Sequence, residues 1–216
     1  MELRHESPWL VVELGAPHAV ASWAVVGGGL QEAEQIAWLQ VRDADLGPEL
    51  DPVQWLEERR SQVGLKQAVC MLTSSELVHH QFTRQEIDGL RAEVVATVGL
   101  SNRLAVGDPP TPGVVGTINI VVVVNRALSP AAMLEAMSIA VEARTAAMVS
   151  LQTHSTVSEK LATGTGTDCI VVAAPLTNTT EPARYAGKHT ALGAVIGQAV
   201  LHAVAAGGKV WMERNC

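Results

Sequence analysis

The residues best equipped for chemistry in this chain lie between positions 162 and 193. ATGTGTDCIVVAAP (162–175) alternates threonine with glycine, places Asp168 after them, and then turns apolar. Gly164 and Gly166 would let backbone amides approach a ligand closely, and Thr165 and Thr167 each add a hydroxyl that donates and accepts. Asp168 stands where loop gives way to a short valine-rich run, the pattern of a strand. A second edge, YAGKHTALG (185–193), sets Lys188, His189 and Thr190 at the head of an apolar helical pattern. Unpaired N–H groups and the positive dipole end at a helix start favour anions and polarised oxygens. A strand after the first edge and a loop before the second can return the chain to one end of a sheet, so the two edges are expected to face one cavity.

Each of these residues also has a plainer role. His189 is either a proton carrier or an exposed helix-end histidine. Asp168 is either an acid–base group or a turn aspartate bonded to threonine or backbone. Asn119 interrupts an apolar run, and a buried amide must find partners, so it either orders the strand edge or reaches a ligand. Glu142 faces a site or lies on a solvated helix face. Lys188 and Arg144 suit a carboxylate or phosphate, or are surface charges of small worth. Thr165 and Thr167 become nucleophiles only beside a base, and binding through their hydroxyls is the more modest role.

Nucleotide and metal chemistry fit poorly. The Gly164–Asp168 run lacks the third glycine of a dinucleotide loop and precedes a strand instead of following one. Ala186-Gly187-Lys188-His189 has histidine where a P-loop needs Ser or Thr, and Pro182 where it needs the leading glycine. His79 and His80 would point to opposite faces of a strand. His189 and His202 would lie about 20 Å apart along a helix. No metal ligand set and no protein-bound cofactor are expected.

The elements that must position these groups follow from hydrophobic patterning. Residues 9–14 and 20–26 read as two strands split by Gly15-Ala16-Pro17, and 36–41 as a third. Asp51-Pro52 starts a helix that stops at Gly64. Strands are expected at 67–72, 77–82 and 94–98, then a buried one at 118–124. Ser129-Pro130 caps a helix of about twenty residues, 169–174 is another buried strand, and a last helix spans 188–205. The loop at 108–113 is the most plausible lid. The order βββαββ(β)βαβα implies an α+β fold: a mixed, largely antiparallel sheet, or two, packed against a few helices in one domain over 1–216.

With 216 residues, 48% of them hydrophobic and only seven aromatic, the core must be filled by Val, Ala and Leu. A net charge of −7 argues against nucleic acid as a partner. Cys70 and Cys169 lie in apolar runs and read as reduced core thiols. The apolar stretch at 191–206 contains Gln198 and His202 and falls short of the ~20 residues of a membrane span. A cytoplasmic location is the default, and a homo-oligomer is left open.

TGTGTD followed by an apolar strand, then YAGKHTALGAVIG, resembles the adenosylcobinamide amidohydrolase family of corrinoid salvage. Gly27-Gly28-Gly29-Leu30, Val98-Gly99-Leu100-Ser101-Asn102, Gly116-Thr117-Ile118-Asn119-Ile120 and LSPAAMLEAM agree with it in matching order. The chain departs at Val141-Glu142-Ala143-Arg144, where the family usually reads Thr-Glu-Ala-Lys, and at Arg103, where it has a small residue. The resemblance implies hydrolysis of the aminopropanol amide of adenosylcobinamide, with the cobalt belonging to the substrate. It suggests Asp168 or His189 as base and acid. Backbone N–H groups of Gly164, Thr165, Gly166 and Thr167, with Lys188 and Thr190, would steady the oxyanion. Thr117 and Asn119 would orient the amide, and Asn102 and Glu142 would contact substrate. A corrinoid-binding protein without hydrolysis, or a hydrolase of another small amide, are the alternatives.

Overall fold

A computed structural model describes residues 1–47, 49–110, 116–176 and 181–215. Its centre is formed by the two most continuous β-branched runs, β8 (Ile118–Val124) and β10 (Cys169–Pro175), which pair in parallel. Every residue of β8 is buried, which is why its sequence shows no polar alternation. Outward from them lie β6 (Leu90–Val98) and β5 (Gln81–Ile87) on one side. On the other lie β2 (Trp9–Ser22), β3 (Gly29–Gln40) and β4 (Val69–Thr73), with β1 (Glu2–Glu6) pairing on β2. Only β8–β10 and β3–β4 are parallel pairs, so this eight-stranded sheet is mixed and largely antiparallel, as the sequence implied.

One face of the sheet carries α2 (Pro130–Ser150) and α3 (Ala191–Asn215). Their contact surfaces are lined by small residues: Ala132, Ala136, Ala140, Ala143 and Ala147 on α2, and Ala199 and Ala203 on α3. Such faces let helices settle closely on a valine sheet, and this compensates for the scarcity of aromatics. α3 is long and apolar enough to cross a bilayer, yet ten of its residues are buried against the sheet and α2. The amide of Ala132 donates to Ser129 Oγ at 3.1 Å, the expected N-cap of α2.

The opposite face curls around a second core of Leu10, Val12, Ile36, Trp38, Met71, Val121 and Val171. The curl brings β4 within reach of β8, where Asn119 Nδ2 donates to Leu72 O at 2.7 Å. Likewise the amino group of Met1 lies 3.6 Å from Glu93 on β6. The short helix α1 (Pro52–Gln62) links β3 to β4 and covers their back with Leu56.

Several boundaries differ from the sequence reading. Gly15-Ala16-Pro17 does not separate two strands. β2 runs through it, and the register against β3 shifts between Glu13 and His18, so the segment acts as a bulge. Residues 77–79 form a 3₁₀ turn before β5, and α3 begins at Ala191 because the Lys188–Thr190 segment turns instead of coiling. The two-residue strands β7 (Arg103–Leu104) and β9 (Gly164–Thr165) pair with each other, too short to leave a pattern. Residues 111–113 of the expected lid lie outside the described residues. Its first member, Asp108, is latched: it accepts from Ser155 Oγ (2.6 Å), Ser158 Oγ (2.8 Å) and Ala105 N (2.9 Å). These donors, the Ser155 hydroxyl foremost, hold its carboxyl down at about 2.

Candidate active site

Asp168 closes the turn that leads into β10, and its carboxylate is buried with 7% of its side chain exposed. Four donors fill its two oxygens. Oδ1 accepts from Ile118 N (3.1 Å) and from the Thr165 hydroxyl, and Oδ2 from Thr165 N (3.0 Å) and Arg144 Nη1 (2.9 Å). Arg144 also donates to Thr163 O at 2.6 Å, so α2 is clamped to the turn. Burial pushes the Asp168 carboxyl above its ordinary value. The Arg144 guanidinium, the Thr165 hydroxyl and the two backbone amides pull the other way without cancelling it.

The glycines of this turn serve packing against protein. A Cβ on Gly164 would stand 1.8 Å from Arg144 Nη1 and 2.4 Å from Asp168 Oδ2. One on Gly166 would stand 2.8 Å from Asn102 Nδ2. Two amides expected to steady an oxyanion are already engaged, Thr165 N by Asp168 and Gly166 N by Asn102 O (3.1 Å). Asn102, buried itself, braces the turn, and its Nδ2 lies 3.5 Å from Gly116 O.

Fifty residues earlier in the chain, Gly116-Thr117-Ile118-Asn119 meets the same turn. The Thr117 hydroxyl lies between two acceptors, Thr167 O at 2.8 Å and Asn119 Oδ1 at 2.9 Å. The Thr167 hydroxyl donates to Gly116 O at 2.9 Å. Asn119 thus ties β8 to Leu72 of β4 and accepts from Thr117, the residue that reaches the turn.

Gly116, Thr117, Asn119, Gly166, Thr167 and Asp168 all line a cleft of about 610 Å³ inside the curl of the sheet. The rest of its lining was not foreseen: Thr73 and Ser74 at the polar end, and an apolar wall of Trp23, Val25, Val41, Leu46, Met71 and Leu72. Thr73-Ser74-Ser75 at the end of a strand was the one available signal. The apolar wall left none, because an apolar side chain in a cleft looks like core. Cys169 also lines the cleft, but burial foremost, with the Asp168 charge adding to it, pushes its thiol up to about 12 and keeps it protonated. Cys70, likewise buried, is pushed up to about 12, as expected of a core thiol.

The second edge does not join this cleft. β8 and β10 run in parallel, and Asp168 sits at their starting end, beside Ile118. Residues 183–186 are bound at the finishing end: Ser129 N donates to Ala183 O (2.9 Å) and Ala186 N to Glu135 Oε2 (2.6 Å). A seven-residue strand, about 20 Å of chain, separates the two. Lys188 pairs with Glu142, and both line a shallow groove on the outer side of α2 and α3. Thr190 caps α3, its hydroxyl accepting from Gly193 N at 2.9 Å, and His189 is exposed beside it. Convergence of the two edges is therefore corrected: Lys188, His189, Thr190 and Glu142 are not brought to Asp168. Among the described residues, no three His, Cys, Asp or Glu side chains gather to hold a metal.

Comparison with known proteins bears on this geometry. Residues 1–216 match the family described as adenosylcobinamide amidohydrolase. An uncharacterized protein of Methanocaldococcus jannaschii is 40% identical over 91 residues, 42% of this chain and 34% of that protein. The match thus spans about a third of that relative's length. Among solved structures, a beta-aminopeptidase from Burkholderia sp. aligns with 93% of this chain and 78% of its own, at 12% identity and a TM-score of 0.46.

Proposed function

The chain belongs to the adenosylcobinamide amidohydrolase family, a family of hydrolases of amide bonds, and from that premise we propose that it cleaves the aminopropanol amide of adenosylcobinamide, releasing adenosylcobyric acid. The reaction then serves corrinoid salvage in the cytoplasm. One observation carries the assignment of the site. Two motifs of the family, Gly116-Thr117-Ile118-Asn119 and Thr165-Gly166-Thr167-Asp168, are fifty residues apart in sequence and meet at one cleft. Its polar end is lined by Asp168, whose carboxyl burial pushes above the ordinary value, and its wall is apolar.

Amide hydrolysis requires water to attack the carbonyl carbon, the C–N bond to break, and the departing amine to gain a proton. Asp168 is the group in the cleft able to take the water's proton and pass it to the amine. Burial displaces the carboxyl upward, which makes it a better proton acceptor, and the Arg144 guanidinium opposes that displacement. Both oxygens are occupied in the resting site. Of the four donors, the Thr165 hydroxyl can turn away by rotation about a single bond, and its rotation opens an acceptor position on Oδ1. Thr117 and Thr167, with Ser74 opposite, are placed to orient the amide.

The two departures from the family pattern leave this end intact. Arg144 keeps a cation on Asp168 where the family has lysine. Arg103 turns away to bind the carbonyls of His154 (2.9 Å) and Leu100 (3.1 Å). Neither favours a binding protein without hydrolysis. Incubating the purified protein with adenosylcobinamide and separating the products tests the proposal. Adenosylcobyric acid and free aminopropanol are expected. Uncleaved corrinoid retained by the protein would point to the non-hydrolytic alternative, and no retention to another amide.

A further inference from the structure

The Gly27-Gly28-Gly29-Leu30 motif takes no part in the proton chemistry, yet it shapes the mouth of the same cleft. Gly27 and Gly29 adopt φ of +74° and +97°, a region that side chains rarely enter. A Cβ on Gly28 would lie 2.7 Å from Ala24 O, so the chain folds back tightly on residue 24. Gln31 Nε2 closes this fold by donating to Gly27 O at 2.7 Å. Val26 exchanges two backbone hydrogen bonds with Cys70 of β4, at 3.2 and 2.9 Å. The segment is thereby pinned on both sides.

What this pinned segment presents is apolar surface. Trp23 is 46% exposed and Val25 37%, and both line the cleft. The indole N–H donates to the main-chain oxygen of Asp168 at 2.6 Å, which tethers the ring edge to the turn that carries the proposed catalytic carboxyl. A large aromatic held this way loses little rotamer freedom on binding, so its contact area converts efficiently into affinity. The cleft itself, about 610 Å³, is of the size that holds a drug-like molecule. A corrin ring with its peripheral amides exceeds it. Only the arm that bears the scissile amide enters, and the ring must lie across the mouth.

We infer that Trp23, with Val25 beside it, is the platform on which the apolar face of a large planar macrocycle rests while its amide arm reaches Asp168. This rests on the proposed corrinoid substrate and adds the residue that recognises the ring. The test combines calorimetric titration with cobinamide and steady-state kinetics on adenosylcobinamide, for the wild type, Trp23→Ala and Trp23→Phe. Trp23→Ala should raise Kd and KM about tenfold or more, as loss of a central aromatic anchor does, and leave kcat within about twofold. Trp23→Phe keeps a ring face and loses only the N–H, so its Kd should stay within about threefold of the wild type. Unchanged Kd and KM in Trp23→Ala would overturn the inference. Equal losses in both variants with a fall in kcat would overturn it too, because Trp23 would then act through its tether to Asp168. Failure of the substrate assignment is read separately, from a wild-type protein that neither binds cobinamide nor cleaves adenosylcobinamide.

Discussion

Asp168 is held by opposed forces, and two substitutions separate them. Thr165→Val removes a hydrogen bond that favours the carboxylate, so the folded pKa should climb further. The acid limb of the pH–rate profile should then move to higher pH, and an unmoved limb would dissociate Asp168 from the rate. Arg144→Met removes the counter-charge, and its signature is stability against pH. A carboxyl whose folded pKa exceeds its unfolded one favours the fold below the unfolded value, and that contribution is lost as pH rises through the folded value. Arg144→Met lifts the folded value and leaves the unfolded one alone. Its deficit should therefore be small in acid, grow as pH rises through the wild type's folded value, which lies above the ordinary carboxylate range, and level off above the variant's, near about 3–5 kcal/mol, the scale of breaking a buried pair. Denaturant titrations from acid to neutral pH measure it, and a deficit independent of pH would contradict the pairing. Asp168 was legible in TGTGTD because turn chemistry is local. Arg144 was legible as a cation suited to a carboxylate, but not which one, since nothing in the sequence says that α2 lies over the turn before β10.

At the scale of elements, two glycines one turn apart on α3 have opposite reasons to exist. A Cβ on Gly193 would stand 2.2 Å from Gly187 O and 2.5 Å from Ala186 O, both backbone atoms that cannot step aside. One on Gly197 would meet only the Ile139 side chain, at an ordinary 3.6 Å. Gly193→Ala should cost about 1–3 kcal/mol through overpacking. Gly197→Ala should be neutral or stabilise by up to about 1 kcal/mol, because alanine is the better helix former. Thermal unfolding of the two variants measures both signs, and equal effects would show that the 186–187 segment does not press on α3. The sequence showed the pair and its spacing but could not show which one a backbone crosses. The same blindness misplaced His189. A loop and a helix start can return the chain to either end of a sheet, and the hydrogen bonds from Ser129 N to Ala183 O and from Ala186 N to Glu135 decide for the end away from Asp168.

For the whole molecule, the legible part was the centre. Apart from Asn119, residues 118–124 and 169–174 are apolar without alternation, and both strands prove to be adjacent and central. Their amides should exchange most slowly of all, near the rate set by global unfolding. Fast exchange in either strand of the folded protein would contradict that arrangement. The curl was not legible, because it depends on contacts such as Asn119 with Leu72 that join strands far apart in sequence, and with it the cleft went unseen. That cleft is the core of the functional account, and one comparison tests it most directly: turnover of adenosylcobinamide by the wild type, Asp168→Asn and His189→Gln, read as adenosylcobyric acid formed. The site described here predicts that Asp168→Asn lowers turnover about 100-fold or more, the scale of lost acid–base catalysis, and that His189→Gln stays within about twofold of the wild type. An Asp168→Asn variant as active as the wild type, or a His189→Gln variant that bears the loss instead, would contradict it.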